Sequence, residues 1–220
     1  MKRTLEPEYM DTVDEASSYD AMDHRVPNNS FVDRLIGLGA KGRILDVGCG
    51  PGQVSILMAT RMSDVEVVGL DAAKTMLDLA ELHRRQTTKD QAARLSFVLG
   101  DGKSLGFPDG HFDAVVNNTV LHHIPDPLPF LAECWRVLRP GGVLLIRDLF
   151  RPQNPEAALA LVDEHAAQDS PMQRELFRAS LHAALTPKEL DEAARGAKIE
   201  DFEITIDSDR HMSLQISART

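Results

Sequence analysis

The chain has 220 residues, 43% of them hydrophobic, which is enough to core one α/β domain with a small helical addition. Acidic residues outnumber basic ones 34 to 24, and the formal charge of −10 lacks the electrostatic footprint that polyanionic nucleic acid requires. Cys49 and Cys134 lie far apart with no C-x-x-C pattern, and no apolar run reaches signal-peptide or membrane-spanning length, so the expectation is a soluble, cytoplasmic protein with no disulfide framework and no membrane or nucleic-acid partner.

In chain order, residues 1–27 form an acidic, weakly amphipathic arm with Tyr9, Met10, Val13, Tyr19 and Met22 among its carboxylates. Such a segment is either a loosely held helix over the mouth of the domain or a solvated tail. From Asn28 or Asn29, each a plausible N-cap, Phe31, Leu35 and Leu38 make a helical stripe that ends among Gly37, Gly39 and Gly42.

The stretch ILDVGCGPG, residues 44–52, follows: an apolar strand that stops at Asp46 and passes into Gly48, Gly50 and Gly52. Glycines at alternate positions can take positive φ and let backbone approach a ligand. From Gln53, Val54, Leu57 and Met58 share a helical face, so the loop presents backbone N–H groups at a helix N-terminus. The pattern reads as a phosphate-free nucleoside site or as an ordinary tight turn. A dinucleotide fingerprint would need its third glycine at position 53, which is Gln, and no P-loop pattern occurs anywhere.

Residues 65–70 form a second apolar strand that ends at Asp71, one β-α-β unit beyond Asp46, so both carboxylates belong at the carboxyl edge of the sheet, where open α/β sheets bind ligands. Asp71 can accept from a ribose diol or cap the helix carrying Ala73, Met76, Leu77 and Ala80. A third strand, 95–99, ends at GDG. Its Asp101 can accept from an exocyclic amine or serve a plain turn. A fourth strand, 112–117, turns polar at Asn117, Asn118 and Thr119.

Pro127 and Pro129 open a helix whose Leu128, Leu131, Ala132, Trp135 and Leu138 share a face, and Trp135 is expected in the core. RPGG at 139–142 ends it before a fifth strand, 143–146. Residues 153–185 carry two helical patterns, longer than a simple crossover. Thr186 with Glu189 is a capping box for a last helix, and alternating residues at 202–206 and 212–216 predict a terminal hairpin.

ILDVGCGPG, GLDAAKTML, GDG, FDAVVNNTVLHHIPDP and LRPGGVLLI stand in that order at the ends of five predicted strands. Together they resemble successive motifs of the class I S-adenosylmethionine-dependent methyltransferases. The resemblance implies an α/β, Rossmann-like doubly wound seven-stranded sheet, mostly parallel with an antiparallel last strand supplied by the hairpin. The domain would run over 28–220 with a helical insertion at about 153–185. It implies S-adenosylmethionine as cofactor, with Asp46 and the backbone of Gly48, Gly50 and Gly52 on the methionine moiety and Asp71 on the ribose. Ala72, Met76, Asp101 and Gly102 would surround adenine, and Asn117 would contact the methionine part or face the transferred methyl. A sulfonium cation with an ammonium group and no phosphate suits a carboxylate-rich rim.

The implied function is transfer of a methyl group to a small-molecule nucleophile with release of S-adenosylhomocysteine. Such an in-line displacement proceeds largely by positioning and exclusion of water, and a base is needed only for a hydroxyl or a protonated amine. His122 and His123, just past the fourth strand, are the candidate catalytic residues; the bland alternative packs one and solvates the other. No metal site is expected, since adjacent histidines do not converge readily and have no i, i+4 partner. Two rival readings are a regulatory module that binds cofactor without turnover and a nicotinamide-dependent oxidoreductase, the latter opposed by Gln53. Residues 1–24 and the insertion are expected to form a lid over the substrate.

Overall fold

The computed structural model describes residues 1–6 and 11–219. Its strands are β1 (Gly42–Val47), β2 (Val65–Asp71), β3 (Leu95–Leu99), β4 (Phe112–Asn118), β5 (Leu138–Leu149), β6 (Glu203–Ile206) and β7 (His211–Ile216). They form one sheet in the order β3-β2-β1-β4-β5-β7-β6. β1 to β5 pair in parallel, while β7 runs antiparallel to both β5 and β6. The sheet and its terminal hairpin are those expected. Strand order reverses between β1 and its neighbours β2 and β4, which opens a crevice at the carboxyl ends of these strands.

Helices α1 (Val13–Asp20), α2 (Arg25–Gly37), α3 (Gln53–Arg61), α4 (Lys74–Arg85), α5 (Lys89–Ala93), α6 (Pro127–Val137), α7 (Pro155–His165), α8 (Pro171–Ala183) and α9 (Pro187–Gly196) flank it, with a 3-10 turn at Leu121–His123. The sheet is covered on both faces, which is why its inner strands are continuously apolar. On one face α2 and α3 bring Phe31, Leu35, Val54 and Met58 against Ile44, Val67 and Val116. On the other α6 and α9 bring Leu131, Cys134, Val137 and Leu190 against Leu45, Val115 and Leu144, with Trp135 packed at that core's margin. The neighbours Ile44 and Leu45 thus serve different cores, as the two-residue period of a strand demands.

Two departures have local causes. α2 begins at Arg25, about a turn before Asn28, because Pro27 falls in the first turn, where a missing N–H costs nothing. The arm is docked, not a solvated tail. Ala16 and Tyr19 of α1 pack on Ala73 and Met76, and Asp11 accepts from the backbone N–H and the hydroxyl of Thr75 at the start of α4. Tyr9 and Met10 lie outside the described residues. The capping box at Thr186 and Glu189 forms as expected, and Thr88 with Gln91 and Ser170 with Gln173 make two more.

Candidate active site

β1 delivers the chain into a loop in which Gly48, Gly50 and Gly52 have φ of +75°, +52° and +78°, the region closed to most side chains. A Cβ on Gly48 would lie 2.7 Å from Val120 Cγ2, and one on Gly52 would lie 2.8 Å from the Phe97 ring. At Gly50 it would meet nothing within 4 Å. Two of the glycines therefore serve close packing, and Gly50 leaves open space. That space belongs to a cavity walled by the loop, by Asp71, Ala72 and Met76 after β2, by Asp101 and Gly102 after β3, and by Asn118 to Val120 and His123 after β4.

The carboxylates differ in state. Asp71 accepts from Gly50 N at 2.7 Å and Ala73 N at 2.8 Å, so it ties the glycine loop to the turn before α4. Burial raises its pKa, opposed by those N–H groups. It is not the N-cap of α4, a position held by Ala73. Asp46 is 1% exposed and accepts from Ser55 Oγ at 2.6 Å. Burial, with a smaller push from Asp71, carries it up to about 7 against the hydrogen bond from Ser55. Asp101 accepts from Lys103 N at 2.8 Å, forming a turn while still lining the cavity.

The arm completes the wall. Tyr19 lines the cavity, and burial beside Asp71 pushes its phenol up to about 12. Asp20 accepts from Gln53 Nε2 at 3.0 Å and lies 3.1 Å from His83 Nε2, while His83 Nδ1 lies 2.9 Å from Pro51 O. Gln53, where a dinucleotide site would need glycine, here helps hold the arm to the loop.

At the other end His122 is 3% exposed, with its backbone N–H and Nδ1 on the two oxygens of Asp148 at 2.8 and 2.7 Å. Burial alone would lower the imidazole, but Asp148 and then Glu6 outweigh it and raise it; Asp148 is held down in turn by His122 against its own burial. Glu6 Oε1 lies 3.3 Å from His122 Nε2 and 3.3 Å from His123 Nδ1. Arg3 sets Glu6 there by donating to the carbonyls of His122, Ile124, Pro125 and Ala183. Thr4 N donates to His182 O, and the Met1 amino group to Gln153 O, so the first residues of the arm are joined to the insertion.

Asp46, Gly48, Gly50, Asp71, Ala72, Met76, Asp101, Gly102 and His123 are brought together on one cavity, and Gly52 packs behind it. Asn117 and His122 are not on its wall. Asn117 is fully buried and donates to Val47 O, while its neighbour Asn118 faces the cavity, because successive strand residues point to opposite faces. The expectation that adjacent histidines do not converge is overturned: the two rings lie 4.2 Å apart and both face Glu6. Arg147, near the end of β5, is buried beside Asp207. Ser55, Tyr19, Glu6 and Asp148 were missed. Asp148 alone had a signal, a carboxylate following an apolar strand.

Residues 45–146 match the family described as a methyltransferase domain. An uncharacterized methyltransferase of Schizosaccharomyces pombe is 37% identical over 60% of this chain and 49% of its own length. The 27-O-demethylrifamycin SV methyltransferase of Amycolatopsis mediterranei is 38% identical over 57% of this chain and 46% of its own. The chain thus spans about half the length of these curated relatives. A crystal structure of an S-adenosylmethionine-dependent methyltransferase from Aquifex aeolicus shares the fold, with a TM-score of 0.71 at 16% identity over 93% of this chain and 97% of that one. Residues 45–146 thus match a methyltransferase domain, and the fold is the one seen in S-adenosylmethionine-dependent methyltransferases, whose cofactor is S-adenosylmethionine.

Proposed function

We propose that the protein transfers the methyl group of S-adenosylmethionine to a small-molecule nucleophile and releases S-adenosylhomocysteine. The observation that carries this is the cradle: a glycine loop with open space at Gly50, tied to Asp71 and backed by the buried carboxyl of Asp46. Two carboxylates and no cationic side chain from the loop suit a ligand bearing sulfonium and ammonium charges. Asp71 would hold the ribose, Ala72, Met76, Asp101 and Gly102 the adenine, and the loop with Asp46 the methionine end. The methyl then faces the β4 end of the cavity, where Asn118, Thr119 and His123 stand. His123 is the imidazole in reach of a nucleophile's proton, with His122 packed behind it on Asp148.

The arm and insertion would close over the nucleophile, as their mutual hydrogen bonds suggest. The rifamycin enzyme among the relatives favours a small organic acceptor over a macromolecule. Among the described residues no helix is long and apolar enough to cross a membrane. Calorimetry with S-adenosylhomocysteine tests the site, and mass spectrometry of a metabolite extract incubated with methyl-labelled S-adenosylmethionine tests turnover. Binding with label transferred to a small molecule is the expected result. No binding overturns the reading, and binding without transfer to any nucleophile favours the regulatory module.

A further inference from the structure

We propose that Glu6, His122 and His123 form a site for a zinc-like divalent cation at the nucleophile end of the cavity. Glu6 Oε1 lies 3.3 Å from each of the two ring nitrogens, and the three donor atoms lie within 4.8 Å of one another. Around tetrahedral zinc with bonds of about 2.0–2.1 Å, adjacent donors stand about 3.3–3.4 Å apart, each off the lone-pair axis of its neighbour. Two of the three donor pairs have that spacing here, both through Glu6 Oε1. Glu6 Oε1 is buried and makes no hydrogen bond, although both nitrogens are at this range. The Glu6 side chain is 9% exposed, and a buried carboxylate oxygen that accepts no hydrogen bond is costly unless a charge meets it, whether a protonated imidazole or a bound cation. Arg3 is not that charge, because its hydrogen bonds go to four backbone carbonyls. The donors face a shared point, and a cation there satisfies them together.

The surroundings are those of a built site. His122 Nδ1 is held by Asp148 Oδ1 at 2.7 Å, which fixes the ring and leaves Nε2 as the ligating nitrogen, the carboxylate–histidine–metal arrangement. Arg3 places Glu6 from only three residues away. Two histidines and a glutamate leave tetrahedral zinc one open position, and His123 joins the site to the cavity wall.

What the ion would do rests on the methyltransferase reading; its binding does not. With the site bare, His123 takes the nucleophile's proton. With it loaded, a hydroxyl or thiol coordinates and releases its proton to solvent. Its lone pair attacks the methyl carbon, the carbon–sulfur bond breaks with its electrons going to sulfur, and neutral S-adenosylhomocysteine leaves with the ion unchanged.

The test uses the full chain, stripped with a chelator and titrated with Co2+ as a visible-absorbing probe. One cobalt per chain with the intense bands of tetrahedral coordination, displaced by Zn2+, is expected. Glu6→Gln and His123→Ala should each weaken binding by more than the about 10–100-fold that loss of an outer partner costs, the range expected for Asp148→Asn. S-adenosylhomocysteine affinity, measured alongside, should persist in Glu6→Gln and so show that the fold is intact. No cobalt bound by the wild type, or binding unchanged in both ligand variants, overturns the proposal. If cobalt fails while S-adenosylhomocysteine binds, the metal site falls and the methyltransferase reading stands; the opposite pair of results separates them the other way.

Discussion

Asp46 makes cofactor binding depend on pH, and its burial sets the size of the effect. Burial carries the carboxyl from an ordinary 3.8 to about 7, against the hydrogen bond from Ser55 and with help from Asp71. Three units at about 1.36 kcal/mol each come to roughly 4 kcal/mol. The sign follows from which state holds the proton. Between about pH 4 and 7 the folded chain keeps a proton that the unfolded chain has released, so stability falls as pH rises, and above about 7 the cofactor-free protein carries the whole penalty. S-adenosylmethionine brings positive charge to this wall, which favours the carboxylate, so binding expels the proton. Affinity should therefore drop by about tenfold for each pH unit below 7 and level off above about 8.

Asp46→Asn keeps an acceptor for Ser55 Oγ but removes the charge. It should melt higher than wild type at about pH 8, gain less at about pH 5, and bind S-adenosylmethionine more weakly with no slope between. Calorimetry at about pH 6.5 in two buffers of different ionisation enthalpy counts the expelled proton. Equal heats in both buffers, with affinity flat from about pH 6 to 8, refute the reasoning.

Asp71→Ala should weaken S-adenosylhomocysteine binding by about 2 kcal/mol or more, since the carboxylate orders Gly50 and, on the proposed function, holds the ribose. Calorimetric affinity within about threefold of wild type would rule out the ribose role. Gly48→Ala places a Cβ 2.7 Å from Val120 at a φ of +75°. Strain and overpacking together should cost about 2–4 kcal/mol in denaturant melts, and an unchanged midpoint would contradict the packing. Arg3→Met strips four carbonyls of a charged donor and should cost about 2 kcal/mol, or roughly 5 °C in melting temperature. Hydrogen exchange with S-adenosylhomocysteine should show protection gained in α1 and in α7 and α8 as well as around Gly48; protection confined to the loop would leave the lid without support.

The order of strands and helices, the glycine loop and the two strand-end carboxylates were legible in the chain because each rests on local chemistry: a period of two or of 3.6 residues, a glycine at positive φ, an acid where an apolar run stops. The resemblance of five ordered motifs then supplied the sheet order and the cofactor. Tertiary structure decided what depends on groups far apart in sequence. That Asn118 and not Asn117 faces the cavity is a matter of strand parity, visible only once β4 is set in the sheet. That the Asp46 carboxyl is carried up to about 7 follows from burial by neighbours that no spacing encodes. Glu6 reaches two histidines more than a hundred residues away only because Arg3 and the insertion dock the arm, an arrangement made by backbone carbonyls, which carry no trace in the sequence.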